Sequence, residues 1–151
     1  MNIYDEFFSI IKQLNTANIR YAVVGGIALS FHTEPRYTKG IDFLVLSNYI
    51  DDLKSILKTM GYILEAQSWT FKKSNITLHR LTKIEGEDSL TIDILEAAEK
   101  RHIRIIENAI TEKTEYGFVN IATREDLVWM KRLINSKQDI ADIEALENVK
   151  N

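Results

Sequence analysis

The sequence contains no cysteine and only one proline, Pro35. A chain without cysteine has no disulfide scaffold, no zinc ribbon and no thiol nucleophile. The single proline and the scattered glycines leave no linker-like stretch, so we expect one domain spanning residues 1–151. Within that domain we expect residues 1–122 to form a sheet core and residues 123–151 to form C-terminal helices.

Long apolar runs and an excess of positive charge are also missing. No uninterrupted apolar run approaches the length that spans a bilayer, and the segment MNIYDEFFSI carries acids where a signal peptide carries basic residues. The net charge is −3 and the isoelectric point about 5.7, which argues against sequence-independent coating of nucleic acid. We expect a soluble cytoplasmic protein with no membrane partner.

Hydrophobic periodicity predicts a mixture of helices and strands. Helices are predicted at residues 4–18, IALSFH, NYIDDLKSILKTMG, residues 98–110, TREDLVWMKRLIN and residues 138–149. Strands are predicted at YAVVGG, IDFLVL, YILEA, WTFKK, ITLHRL, LTIDIL and GFVNIA, with EGED as a turn. This order indicates an α/β or α+β domain with a mixed sheet flanked by helices and a helical pair at the C-terminus.

Five residues form a pattern that carries chemistry. Gly25 and Gly26 end a strand and open a helix, Asp42 and Asp93 lie in later strands, and Lys131 lies on the helix after Thr123. Backbone N–H groups at a glycine-rich helix N-terminus bind phosphate readily. Carboxylates on adjacent strands can converge on a magnesium ion, and a lysine balances triphosphate charge.

The stretch VVGGIALSFHTEPRYTKGIDFLV resembles the signature of the nucleotidyltransferase superfamily that includes DNA polymerase beta and the minimal bacterial nucleotidyltransferases. It is more similar still to the toxin-type, abortive-infection AbiEii-like branch, whose usual phrase is GGxAxxxHxxxRxTxDID. The residues that match this phrase are Gly25, Gly26, Ala28, His32, Arg36, Thr38, Ile41 and Asp42.

The C-terminal stretch REDLVWMKRLINSKQDIADIEAL is similar to the same family's last two helices. Lys131, Asp139 and Asp142 match its pattern. Two positions depart from the family. Gly40 replaces the first carboxylate of Asp-x-Asp, and Ser136 replaces an arginine. Because the first carboxylate normally bridges both metal ions, its loss is expected to weaken magnesium binding.

The resemblance implies a role for each matched residue. Asp42 is expected to hold metal, Asp93 to hold metal and assist deprotonation, and Gly25 with Gly26 to seat phosphates. Arg36, Thr38, Lys39 and Lys131 are the further expected nucleotide contacts. The implied activity is Mg²⁺-dependent transfer of a nucleotidyl group from an NTP to a hydroxyl of RNA, such as a tRNA end, or of protein, beside a partner antitoxin. The alternatives are a binding or regulatory module that has lost catalysis, and a protein that binds a small hydroxylated molecule.

Several other residues have ordinary structural explanations. Arg36 and Lys39 can equally be plain loop charges, and Glu34 could reach the metal position from the same loop. We expect His32 to be packed at a helix end and both Trp69 and Trp129 to be core residues. The basic cluster Lys100, Arg101, His102 and Arg104 is expected to form a solvated face, with an RNA contact as the minority interpretation.

Overall fold

The computed structural model describes residues 1–33, 40–133 and 146. Within these ranges the chain forms five α-helices and eight β-strands, with a short 3-10 turn at Ser47–Tyr49. The helices are α1 (Ile3–Thr16), α2 (Gly25–His32), α3 (Ile50–Thr59), α4 (Lys100–Glu107) and α5 (Arg124–Arg132). The strands are β1 (Tyr21–Val24), β2 (Gly40–Leu46), β3 (Leu64–Glu65), β4 (Trp69–Thr70), β5 (Thr77–Glu85), β6 (Asp88–Ala97), β7 (Ile110–Thr114) and β8 (Gly117–Ile121).

All eight strands belong to one sheet in the order β3-β5-β6-β2-β1-β8-β7, with β4 paired to β5. The pairs β2–β6 and β1–β8 are parallel, and the other pairs are antiparallel. The prediction of a mixed sheet flanked by helices is therefore confirmed. Strands β1, β2 and β6 lie in the middle of the order, and these strands position the candidate site.

Phe43 of β2 anchors the packing of the central strands. Its ring stacks on that of Phe7 from α1, with centroids 6.1 Å apart, and meets the edge of Tyr21 at 6.0 Å. All three side chains are buried. Aromatic rings contribute large buried areas, so this cluster holds α1 against β1 and β2. Asp42 lies in β2, next to Phe43.

The outer strands differ most from the sequence-based prediction. The predicted helix over residues 98–110 is observed as Lys100–Glu107, and residues 110–114 form β7, which the sequence did not indicate. The reason is that β7 lies at the edge of the sheet and is largely exposed, so ITEKT shows no apolar alternation. The predicted strands YILEA and WTFKK are reduced to two-residue pairings with β5.

The first of the two predicted C-terminal helices is α5. It begins after Thr123, whose hydroxyl accepts a hydrogen bond of 3.1 Å from the backbone N–H of Asp126, as expected of a cap. The predicted helix over residues 138–149 lies outside the described residues, apart from Leu146, which is buried in the core. None of the helices in the described ranges has the length and apolar character that a membrane crossing requires.

Two expectations about side-chain placement were wrong. Trp69 is 60% exposed rather than in the core, because β4 is a two-residue strand at the margin of the sheet, where the indole forms a T-shaped pair with the ring of Phe71. His102 was expected on a solvated face with its basic neighbours, yet it is fully buried. Its Nε2 lies 2.8 Å from the carbonyl oxygen of Ser74, which satisfies the ring in the interior.

Candidate functional site

The junction between β1 and α2 is built around Gly25. Its φ of +70° lies in the left-handed region, which glycine adopts without steric cost. Val24 pairs with Asp42 across the antiparallel β1–β2 ladder, so the Asp42 carboxylate lies directly against the glycine. A Cβ added to Gly25 would lie 2.0 Å from Oδ2 of Asp42, which no real structure tolerates. Close contact between the helix N-terminus and this carboxylate therefore requires glycine at position 25.

Asp42 and Asp93 are neighbours across the parallel pair β2–β6. Burial, the negative charge of Asp93 and a hydrogen bond with Asp93 together raise the pKa of Asp42 to about 7. The positive charges of Lys131 and Arg80 act in the opposite direction. Near neutral pH, the pair is therefore balanced between sharing one proton and carrying two negative charges.

Lys131 lies on α5, near the end of that helix. Its ammonium is close enough to lower the pKa of Asp42, so α5 brings this lysine near that carboxylate. Position 131 is remote from position 42 in sequence, and packing of α5 beside α2 makes the approach.

Arg80 of β5 is a site residue that the sequence analysis missed. It pairs with Asp93 across the antiparallel β5–β6 hairpin, and its guanidinium binds both carboxylate oxygens. Nε lies 2.7 Å from Oδ1, and Nη2 lies 3.0 Å from Oδ2. Counting outward from the predicted EGED turn places Arg80 opposite Asp93, so this pairing could have been predicted from the sequence. A charged residue on a strand with one solvent-exposed face is ordinarily solvated, and the pattern of this strand therefore did not indicate a site residue.

Gly40 begins β2, two residues before Asp42 and on the same face of the strand. It pairs with Thr91 of β6. A Cβ added there would lie 3.1 Å from the backbone oxygen of Thr91, so a side chain at position 40 requires the neighbouring strand to move by a few tenths of an ångström.

The described side chains do not by themselves fit a two-ion magnesium centre. No group of three or more histidine, aspartate or glutamate side chains within residues 1–33, 40–133 and 146 is close enough to share an ion. The two carboxylates that converge are Asp42 and Asp93, and both oxygens of Asp93 are already bound by Arg80. Mg²⁺ in proteins usually keeps several waters and is held by one or two carboxylates together with substrate phosphates, so Asp42 and Asp93 suit an ion only when Asp93 is not engaged by Arg80.

Other predicted site residues divide into two groups. His32 is packed at the end of α2 as expected, and its Nε2 lies 2.8 Å from the carbonyl oxygen of Ala122. Gly26 is buried in the first turn of α2. The remaining positions lie outside the described residues: Glu34, Arg36, Thr38, Lys39, Ser136, Asp139 and Asp142.

Comparison with known proteins places the fold. No family model and no curated protein sequence matches this chain. Among solved structures, lincosamide antibiotic adenylyltransferase LnuA, in its lincomycin-bound form, matches with a TM-score of 0.61 at 14% identity, covering 97% of both chains. A Thermotoga maritima protein designated a nucleotidyltransferase gives a TM-score of 0.66 at 11% identity, covering 97% of this chain and 93% of its own.

A third solved structure is ANT(2'')-Ia in complex with adenylyl-2''-tobramycin, with a TM-score of 0.57 at 14% identity, covering 91% of this chain and 83% of its own. Identities this low establish the fold and not the activity. The fold prediction is thus confirmed over almost the whole length. This chain has the mixed α/β fold of nucleotidyltransferases.

Proposed function

We propose that this chain binds a nucleoside triphosphate at the β1–α2 junction and transfers its nucleotidyl group to a hydroxyl group. The observation that carries the proposal is the in-register pair of Asp42 and Asp93 set directly against the Gly25 turn. In this arrangement backbone N–H groups and two carboxylates face the same small region. Phosphate and a hydroxyl that must lose its proton are the partners that such a combination suits.

Each expected nucleotide contact has a physical reason. Gly25 and Gly26 open α2, and the helix dipole favours negative charge at that end, so we propose this turn as the phosphate contact. Lys131 adds a cation on the side of Asp42. We propose Arg36, Thr38 and Lys39 as further contacts on the basis of sequence alone. Mg²⁺ would be the cofactor, and Asp42 and Asp93 would be the residues that hold it.

For the acceptor, we propose the end of a tRNA or a protein hydroxyl, with the protein acting in the cytoplasm beside an antitoxin partner. The AbiEii-like phrase around Gly25 and Asp42 supports this proposal. A small hydroxylated acceptor is the alternative, which the structural likeness to antibiotic adenylyltransferases supports. Incubation with labelled NTP and either bulk tRNA or an aminoglycoside distinguishes the two, because the label then migrates with RNA or with a small molecule.

A second candidate function is nucleotide binding without transfer, as a regulatory module. Two observations favour it. Gly40 leaves the site one carboxylate short of the family pattern, and the guanidinium of Arg80 occupies both oxygens of Asp93. A site of this kind keeps a place for phosphate but has too little negative charge to hold two metal ions.

Label transfer from each NTP, with Mg²⁺ or Mn²⁺, separates the two candidates. The variants are Asp93→Asn, Gly40→Asp and a matched surface control, Asp51→Asn, on the exposed side of α3. Transfer by the natural chain that persists in the control and disappears in Asp93→Asn supports the enzyme. An inactive natural chain that gains transfer in Gly40→Asp supports the binding module and refutes transfer as the natural function.

Ligand binding is tested separately from transfer by thermal unfolding. A ligand that binds only the folded protein raises its stability, by about 2.7 kcal/mol at a hundredfold excess over Kd. We expect millimolar NTP to raise the melting temperature of the natural chain. Absence of any shift with all four NTPs, with and without Mg²⁺, would contradict both candidate functions.

A further inference from the structure

The ion pair between Arg80 and Asp93 stands where the proposed function requires a free carboxylate. We propose that Arg80 competes with a divalent cation for Asp93 and thereby sets the metal affinity of the site. This inference rests on the proposed function in one respect, the assignment of Asp42 and Asp93 as the cation-facing pair. It concerns the regulation of that pair and not the identity of the nucleotide or acceptor.

The geometry of the pair makes the competition direct. The two N–H groups of the guanidinium fork lie 2.7 Å and 3.0 Å from Oδ1 and Oδ2 of Asp93, so both oxygens are engaged at once. A divalent cation that binds this carboxylate needs the same electron pairs. Arginine cannot lose its charge to accommodate the ion, because a guanidinium is not deprotonated in proteins.

The local charge balance points in the same direction. Asp42 and Asp93 carry two negative charges when both are ionised, and Arg80 and Lys131 supply two positive charges within electrostatic reach of Asp42. With both carboxylates ionised, these four groups together carry no net charge before any ion arrives. A divalent cation would add two positive charges beside two fixed cations, whereas a site with three carboxylates and no arginine would start strongly negative.

The position of Arg80 beside Asp93 is fixed by the register of the strands. Strands β5, β6 and β2 place Arg80, Asp93 and Asp42 in one row across the sheet. The side chain of Asp93 is 18% exposed, whereas that of Arg80 is 50% exposed. Replacing Arg80 therefore removes a half-exposed side chain from the rim of the site and leaves the buried core intact.

The test is Mn²⁺ binding, followed by the loss of the free-ion signal in electron paramagnetic resonance, with no nucleotide present. The variants are Arg80→Gln and a control, Arg20→Gln, which removes the same charge at the opposite end of β1. Because one fixed cation is removed close to the ion, we expect Arg80→Gln to bind Mn²⁺ at least about tenfold more tightly than the natural chain. The Arg20→Gln variant should match the natural chain.

The double variant Arg80→Gln with Asp93→Asn shows whether the gain is local, because it should return to the affinity of the natural chain. A gain that survives Asp93→Asn, or an Arg80→Gln variant no tighter than Arg20→Gln, would overturn the proposal. If Arg80→Gln does not fold, judged by circular dichroism, Arg80→Lys replaces it. A lysine cannot hold both oxygens at once, so a smaller gain is expected there, and no gain contradicts the proposal.

These outcomes are separable from those of the proposed function. Failure of nucleotide binding or transfer by the natural chain refutes the function and leaves the Mn²⁺ comparison standing. Conversely, nucleotidyl transfer by the natural chain, together with an unchanged Mn²⁺ affinity in Arg80→Gln, would support the proposed function and refute the competition between Arg80 and the cation.

Discussion

Replacement of Gly25 by alanine tests the geometry on which the site depends. Two separate costs are expected. The first is conformational, because φ is +70° and a left-handed residue with a Cβ costs about 1–2 kcal/mol. The second is steric: the new Cβ would lie 2.0 Å from Oδ2, 2.6 Å from Cγ and 2.9 Å from Cβ of Asp42. Relief of such an overlap by side-chain and backbone shifts typically costs about 1–3 kcal/mol.

Gly86 supplies a matched control for the first cost. It has a φ of +64° in the turn between β5 and β6, and an added Cβ there would meet nothing within 4 Å. We therefore expect Gly86→Ala to lower the free energy of unfolding by about 1–2 kcal/mol. Gly25→Ala should lower it by about 2–5 kcal/mol. Any effect of alanine on the unfolded chain is common to both variants and cancels in the comparison.

Urea unfolding followed by far-UV circular dichroism measures both variants. A double-mutant cycle then assigns the difference to Asp42. Because Asp42→Ala removes the two closest atoms, it should recover about 1–2 kcal/mol of the Gly25→Ala loss. The reasoning would be refuted by a Gly25→Ala variant within about 0.5 kcal/mol of Gly86→Ala, or by additive effects in the cycle.

Three further predictions concern stability. Because burial and Asp93 raise the pKa of Asp42 to about 7, the folded chain keeps a proton that the unfolded chain loses near pH 4, and stability falls as the pH rises between these values. Asp42→Asn should therefore raise the free energy of unfolding by about 2–4 kcal/mol at pH 8 and change it little at pH 4, as measured by urea titration at each pH. Thr123→Ala removes the cap of α5 and should cost about 1 kcal/mol in the same assay, whereas an unchanged midpoint would show that the cap is not needed. Phe43→Ala should cost about 3–5 kcal/mol because the ring is fully buried between Phe7 and Tyr21, and a loss below about 1.5 kcal/mol would mean that the cluster repacks.

The centre of the fold could be predicted from the sequence because its strands are short apolar runs with few polar interruptions. An acid within IDFLVL or LTIDIL is conspicuous, since burying a carboxylate is costly unless it has partners. Glycine at a strand–helix junction is equally visible. The structure places Asp42 and Asp93 side by side and Gly25 against Asp42.

The sequence could not indicate partners that depend on register or on tertiary packing. Arg80 lies in a strand whose alternation suggests a wet face, and only its pairing with Asp93 makes it a site residue. The edge strand β7 has no buried face to create an apolar pattern. The burial of His102 against Ser74 follows from how α4 docks.

The parallel pairing of β2 with β6 has a consequence for folding. The two carboxylates come from strands separated by α3 and by β3 to β5, so the pair forms only after a long loop closes. Closing such a loop costs conformational entropy before any stabilising contact has formed, so non-local pairings of this kind form slowly. On the ribosome, no part of the chain ending before β6 can hold the carboxylate pair. A chain interrupted before β6 is made therefore carries neither the site nor any activity that the site confers.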